Sequence, residues 1–138
     1  MNDCLFCKII KGDVPCTKVY EDAFSFAFLS INPNNHGHTI VIPKRHCRNM
    51  LDMEEVTAST LALAVRRISK GVFEAVQAEG VNIIMNNEVP AGQAVFHAHY
   101  HIIPRFKNDG LKVWDKNIPY QDDEAKKIAE DIRKQIIF

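Results

Sequence analysis

His97-Ala98-His99-Tyr100-His101-Ile102-Ile103-Pro104-Arg105 is the stretch that decides how the rest of the chain is read. In an extended strand, residues i, i+2 and i+4 leave the same face at intervals of about 7 Å. The three imidazoles are therefore expected to face one pocket from one side of a sheet. Imidazole serves as nucleophile, general acid or base, or metal ligand. On an unbent strand the outer two rings start roughly 13 Å apart, too far for one zinc ion with ~2 Å bonds to gather all three. At least one histidine is then left for other work. A strand end whose rings merely satisfy backbone groups is the blander alternative, and strict threefold alternation argues against it.

Outward from this strand, the chain has 138 residues, of which 46% are hydrophobic and 25% charged, enough for one domain that buries its own core. Lys+Arg and Asp+Glu are both 17, so no global field attracts nucleic acid or an acidic membrane, and neither is expected as a partner. Any anionic ligand must be held locally. The chain start has no cationic segment followed by an apolar one, and no run approaches the ~20 apolar residues that span a bilayer. A cytoplasmic location is the expectation. In that reducing setting Cys4, Cys7, Cys16 and Cys47 read as thiols or metal ligands, not as a disulfide framework.

Asp3 is placed to cap a short helix over 4–10 that ends at Gly12 and Pro15. Val19-Tyr20 and 23–29 read as strands joined at Glu21-Asp22, and Pro33 to Gly37 reads as a loop before a strand over 39–42. Between Glu54 and Gln77, Leu61, Val65, Ile68, Val72 and Val76 recur at three- and four-residue intervals, which predicts one long amphipathic helix with Gly80 as its C-terminal cap. Strands are expected over 81–85 and 95–103, joined by the polar connection 86–94. From Asp122, Ile128, Ile132 and Ile136 keep helical spacing after an acidic start, favouring a C-terminal helix. The order predicts an α+β fold with a mostly antiparallel sheet.

Cys4-Leu-Phe-Cys7-Lys-Ile-Ile, Ile31-Asn32-Pro33, Gly37-His38, Val41-Ile42-Pro43-Lys44-Arg45-His46, Asn82, Asn86-Asn87, Ala91-Gly92-Gln93 and the triad strand together resemble the histidine triad (HIT) family, in its Hint-like branch of nucleotide hydrolases and transferases. The resemblance implies one HIT domain over 1–138, with a core at 4–105 and a C-terminal extension at 106–138. It implies a five-stranded, mostly antiparallel sheet with one long helix, and a homodimer joined side by side through that helix and a strand. It also implies hydrolysis of purine nucleoside phosphate conjugates, such as phosphoramidates, adenylates or dinucleoside polyphosphates. His99 matches the nucleophile, which attacks the α-phosphate and forms a nucleotidyl-histidine that water then hydrolyses. A neutral imidazole suits this chemistry, because splitting the displacement in two lowers each barrier.

Attack at phosphorus also needs preorganised donors for the non-bridging oxygens. Asn86, Gln93, the amides around Gly92-Gln93 and His101 are the candidates, and Gly92 lets backbone approach a phosphate closely. Two positions depart from the family pattern. Ser30 stands where the family often has an acid that binds the ribose hydroxyls, and Ala94 stands where the Hint branch usually has a serine that donates to the leaving group. Ile31, with Phe6, Ile9, Phe26, Phe28 and Ile42, matches segments that wall the purine site in relatives, although most large apolar residues in so small a chain are core. Cys4-x-x-Cys7 is able to clamp Zn²⁺, with a redox couple or two buried apolar residues as rival readings. The resemblance supplies His46 and His97 as the other two ligands of a structural zinc, and places His97 in the catalytic triad as well. The alternatives are a nucleotidyltransferase of the same family, a nucleotide-binding regulator with incidental hydrolysis, and a zinc-organised scaffold.

Overall fold

The computed structural model describes residues 3–112 and 116–137. Its elements in chain order are α1 (Leu5–Lys11), β1 (Lys18–Glu21), β2 (Ser25–Leu29), β3 (Thr39–Pro43), α2 (Glu55–Ala75), β4 (Gly80–Ile84), β5 (Tyr100–Arg105) and α3 (Glu124–Gln135). The five strands form one antiparallel sheet in the order β1-β2-β3-β5-β4. The expected α+β architecture is the one observed.

Both faces of the central strands are covered, which explains why β2 and β3 read as continuous apolar runs. On one face, Leu61, Ala64, Val65, Ile68 and Val72 of α2 pack with Ala27, Val41 and Ile102. On the other, Phe6 and Ile9 of α1 pack with Phe26, Phe28, Ile40 and Ile42. Each fully buried Leu or Ile contributes about 1.5–3 kcal/mol. The period-2 alternation along β5 sends Tyr100 and Ile102 toward α2 and leaves His101 for the α1 face, so the layer that carries chemistry is the one covered by the shorter helix.

Three local expectations are corrected. The cap of α1 is Cys4 and not Asp3: the Cys4 Sγ accepts the Cys7 N–H at 3.3 Å. The helix closes as expected at Gly12, whose φ of 85° suits a residue without a Cβ. Gly80 does not cap α2 but opens β4, opposite Arg105; the left-handed position is taken by Gln77 (φ 52°), and the Ala78 N–H closes on the Phe73 carbonyl at 3.0 Å. The strand expected over 95–103 begins only at Tyr100, since 95–97 bend and the Ala98 N–H is held by the Cys47 carbonyl at 2.8 Å. At Gly37, φ is 102° and a Cβ would lie 3.0 Å from Val76 Cγ1, so the loop before β3 is pressed onto the end of α2. That contact fixes where the next residue, His38, enters the sheet.

The C-terminal helix expected from Asp122 is present as α3. It buries no residue, and Ile128, Ile132 and Ile136 remain exposed. Among the described residues no helix is long and apolar enough to cross a membrane.

Candidate active site and metal centre

The bend before β5 separates the three triad histidines into two sites. His99 and His101 line a cleft of about 420 Å³ with Phe6, Ile40, Ile84 and Asn86. The strand register accounts for this wall, because His101 pairs with Ile40 on β3 and with Ile84 on β4. His97 is fully buried outside the cleft. The expectation that all three rings face one pocket is therefore corrected. It assumed a straight strand through residue 97, and the chain bends there.

The protonation state of each ring follows from its partners. The His99 Nδ1–H donates to the His97 carbonyl at 2.7 Å, which leaves the lone pair on Nε2. Burial lowers the His99 pKa from the ordinary imidazole value, so the neutral, nucleophilic form prevails at neutral pH. Phe6 stands edge-on to this ring, with centres 5.1 Å apart and planes at 88°. The packing fixes the ring plane, and the hydrogen bond to the His97 carbonyl fixes the tautomer.

His101 is set by His38, a residue to which the sequence assigned no role in the site. The Asn34 N–H donates to His38 Nδ1 at 3.1 Å, so the His38 proton sits on Nε2. That nitrogen lies 2.9 Å from His101 Nδ1 and donates to it. The proton of His101 is thereby placed on Nε2, where it serves as a donor. Burial, then the neighbouring His99 and His38, lower the His101 pKa to about 4, and burial lowers that of His38 as well, so both rings are neutral at neutral pH. Truncation by His38→Ala removes the donor that selects this tautomer. Steady-state turnover is expected to fall about tenfold, equivalent to ~1.4 kcal/mol. His38→Gln, whose amide can still donate, is expected to retain most of the rate.

The remaining predicted residues divide. Asn86, Gly92 and Ala94 lie on the cleft wall. Gly92 has a φ of 97°, a left-handed backbone conformation that favours glycine. Gln93 is buried but not directed to the cleft. Its Nε2 donates to the Arg48 and Val95 carbonyls at 2.7 and 3.0 Å, and its Oε1 accepts from the Glu88 N–H and Asn49. With its backbone N–H bonded to the Glu88 carbonyl as well, Gln93 shapes the wall and has no donor to spare for a phosphate. Ser30 and Ile31 do not line the cleft. The Ser30 hydroxyl accepts the Asn32 N–H at 3.2 Å, and Ile31 is 91% exposed. Of the apolar set, Ile9, Phe26, Phe28 and Ile42 are core, and Phe6 alone faces the cleft.

Cys4, Cys7, His46 and His97 converge, with their ligand atoms within 4.8 Å of one another. Cys4 Sγ lies 3.3 Å from His97 Nδ1, Cys7 Sγ lies 3.5 Å from His46 Nδ1, and the two Nδ1 atoms are 3.1 Å apart. The edges of a tetrahedron with Zn–S of about 2.3 Å and Zn–N of about 2.0 Å are roughly 3.3–3.8 Å. The donor set fits. The His97 Nε2–H donates to the Pro43 carbonyl at 2.8 Å, which directs the lone pair of Nδ1 into the cluster, the arrangement that orients ligating imidazoles. Burial and the adjacent Cys4 raise the Cys7 pKa, and a cation at this position would favour its thiolate instead.

Three relatives place these features among known proteins. Protein hit of Bacillus subtilis is 41% identical over 138 residues, which is 98% of this chain and 95% of the relative. The adenosine 5'-monophosphoramidase hnt1 of Schizosaccharomyces pombe is 39% identical over 134 residues, 96% and 98% of the two chains. A crystal structure of a Zn-bound histidine triad family protein from Mycobacterium smegmatis superposes with a TM-score of 0.76 at 38% identity, over 80% of this chain and 81% of that one. The HIT domain family model matches residues 11–108, a span that holds the whole sheet and the cleft histidines His38, His99 and His101. The chain therefore belongs to the histidine triad family, in its Hint-like branch.

Proposed function

We propose that this protein hydrolyses purine nucleoside phosphate conjugates, with His99 as nucleophile. The observation that carries the reading is the His99 ring, whose Nδ1–H is committed to the His97 carbonyl while its Nε2 is left for the cleft. The Nε2 lone pair attacks the α-phosphorus and the bond to the leaving group breaks, with the leaving amine or phosphate taking up a proton. Water then attacks the nucleotidyl-histidine, the P–N bond breaks, and the free imidazole and a nucleoside monophosphate result. His101 Nε2–H and the Asn86 side chain supply donors for the non-bridging oxygens, and the Gly92–Ala94 turn lets the backbone approach. The S. pombe relative named as an AMP phosphoramidase supports phosphoramidates within the substrate class.

Ala94 offers no hydroxyl for the leaving group, so leaving groups that need little protonation, such as sulfate or a polyphosphate, are favoured over alkylamines. Cys4, Cys7, His46 and His97 are proposed to hold a structural zinc, supported by the fit of the donor set and by the Zn-bound M. smegmatis relative. Two thiolates and two imidazoles leave no open coordination position, so the metal contributes stability and carries no step. A homodimer joined side by side through α2 and a strand completes the proposal.

The test is release of nucleoside monophosphate from an adenosine phosphoramidate, adenylyl sulfate and a diadenosine polyphosphate. Turnover of at least one conjugate is expected, with nucleoside monophosphate as product. Absence of turnover with AMP still bound would replace hydrolysis with nucleotide binding. Formation of a nucleoside diphosphate on adding inorganic phosphate would replace it with nucleotidyl transfer.

A further inference from the structure

The wall that carries Asn86, Gly92 and Ala94 contains a residue in a conformation ill suited to it. Glu88 has φ 76° and ψ 161°, a region essentially reserved for glycine. Four contacts hold it there. The Arg48 guanidinium grips its carboxylate in a two-pronged pair, Nε to Oε2 at 2.7 Å and Nη2 to Oε1 at 2.9 Å. The buried Asn49 amide donates to the same carboxylate, and the Gln93 Oε1 accepts the Glu88 N–H at 2.8 Å. Arg48 is itself pinned, 4.3 Å over the Phe96 ring, with its carbonyl bonded to Gln93 Nε2. Met50 N–H reaches Asn87 Oδ1 at 2.8 Å. Residues 47–50 thus form a template against which 87–98 is laid.

We propose that Arg48 is a positioning residue: by clamping the Glu88 carboxylate it holds the 86–94 wall in a strained backbone shape that presents Asn86 and the Gly92–Ala94 turn to the cleft. The proposal rests on reading that cleft as the reaction site. The Arg48 and Glu88 side chains are half exposed, so the pair adds little to global stability, and its effect is to select one loop conformer. A residue that needs no clamp to adopt the same backbone should then make Arg48 dispensable. Glycine is that residue.

The experiment compares wild type, Glu88→Ala, Glu88→Gly, Arg48→Ala and the double variant Arg48→Ala/Glu88→Gly. Amide hydrogen exchange over 86–94 reads the loop without any substrate. Exchange is expected to rise about tenfold in Glu88→Ala and Arg48→Ala and to stay near wild type in Glu88→Gly and the double variant. On the best conjugate, kcat is expected to fall about tenfold in the two impaired variants with KM within about threefold, and to recover in the two glycine variants. If Glu88→Ala exchanges like wild type, or if Glu88→Gly is as impaired as Glu88→Ala, the clamp is overturned; the second result would mean that the carboxylate itself acts. Should Glu88→Ala fail to fold, Arg48→Lys, which keeps the charge and loses the fork, takes its place with the same expectation. A wild type that releases no nucleotide defeats the reading of the cleft, while the exchange data still decide the clamp.

Discussion

His99→Ala is expected to lower turnover of any accepted conjugate by roughly 10⁴-fold, the scale seen when a covalent nucleophile is deleted from a prearranged site. Steady-state release of nucleoside monophosphate measures it. The ring at this position has one nitrogen bonded to the His97 carbonyl at 2.7 Å and is the only one of the three imidazoles with that partner. The cleft, its donors and Phe6 survive the truncation, so nucleotide affinity is expected to stay within about tenfold of wild type. Quenching the wild type in alkali during turnover should trap nucleotide on the protein as an acid-labile phosphoramidate, and His99→Ala should trap none. A variant that kept a tenth of the rate would remove His99 from the covalent step.

Stripping metal, or replacing Cys4 by Ser, is expected to lower the melting temperature by about 10 °C or more, through the loss of about 3 kcal/mol or more of folding free energy. The purified protein is expected to carry close to one zinc per chain by elemental analysis. Cys4 also caps α1 through its Sγ, and serine is itself a favoured N-cap, so the substitution removes a metal ligand while keeping the helix that brings Phe6 to the cleft. Chelation of the wild type, which changes no side chain, is expected to give the same loss. Metal-free wild type that melts unchanged after chelation would end the zinc proposal.

What could be read ahead of the structure depended on the range of the interaction. The α2 stripe from Leu61 to Val72 was legible because its 3.6-residue period is local, and all of its predicted members that fall in the helix proved buried. Cys4, Cys7, His46 and His97 were brought together by family resemblance, and their convergence across 93 residues is something no spacing rule supplies. His38 was missed for the same reason. Its partner His101 lies 63 positions away and meets it through the antiparallel pairing of β3 with β5. Gln93 was assigned a donor role because its residue type permits one; only the partners around it reveal that both ends of its amide are occupied. The left-handed residue after α2 went to Gln77 and not to the available Gly80, because Gly80 was needed in register opposite Arg105.

His97 joins the two halves of this story through separate atoms, its ring facing two thiols and its carbonyl receiving the proton of the neighbouring triad member. An alanine scan that scored only rate would enrol it among the chemical participants, although its side chain never borders the space where a phosphate would sit. Losses at this position and at 99 would look alike on an assay plate yet have unrelated origins, one in scaffolding and one in bond making.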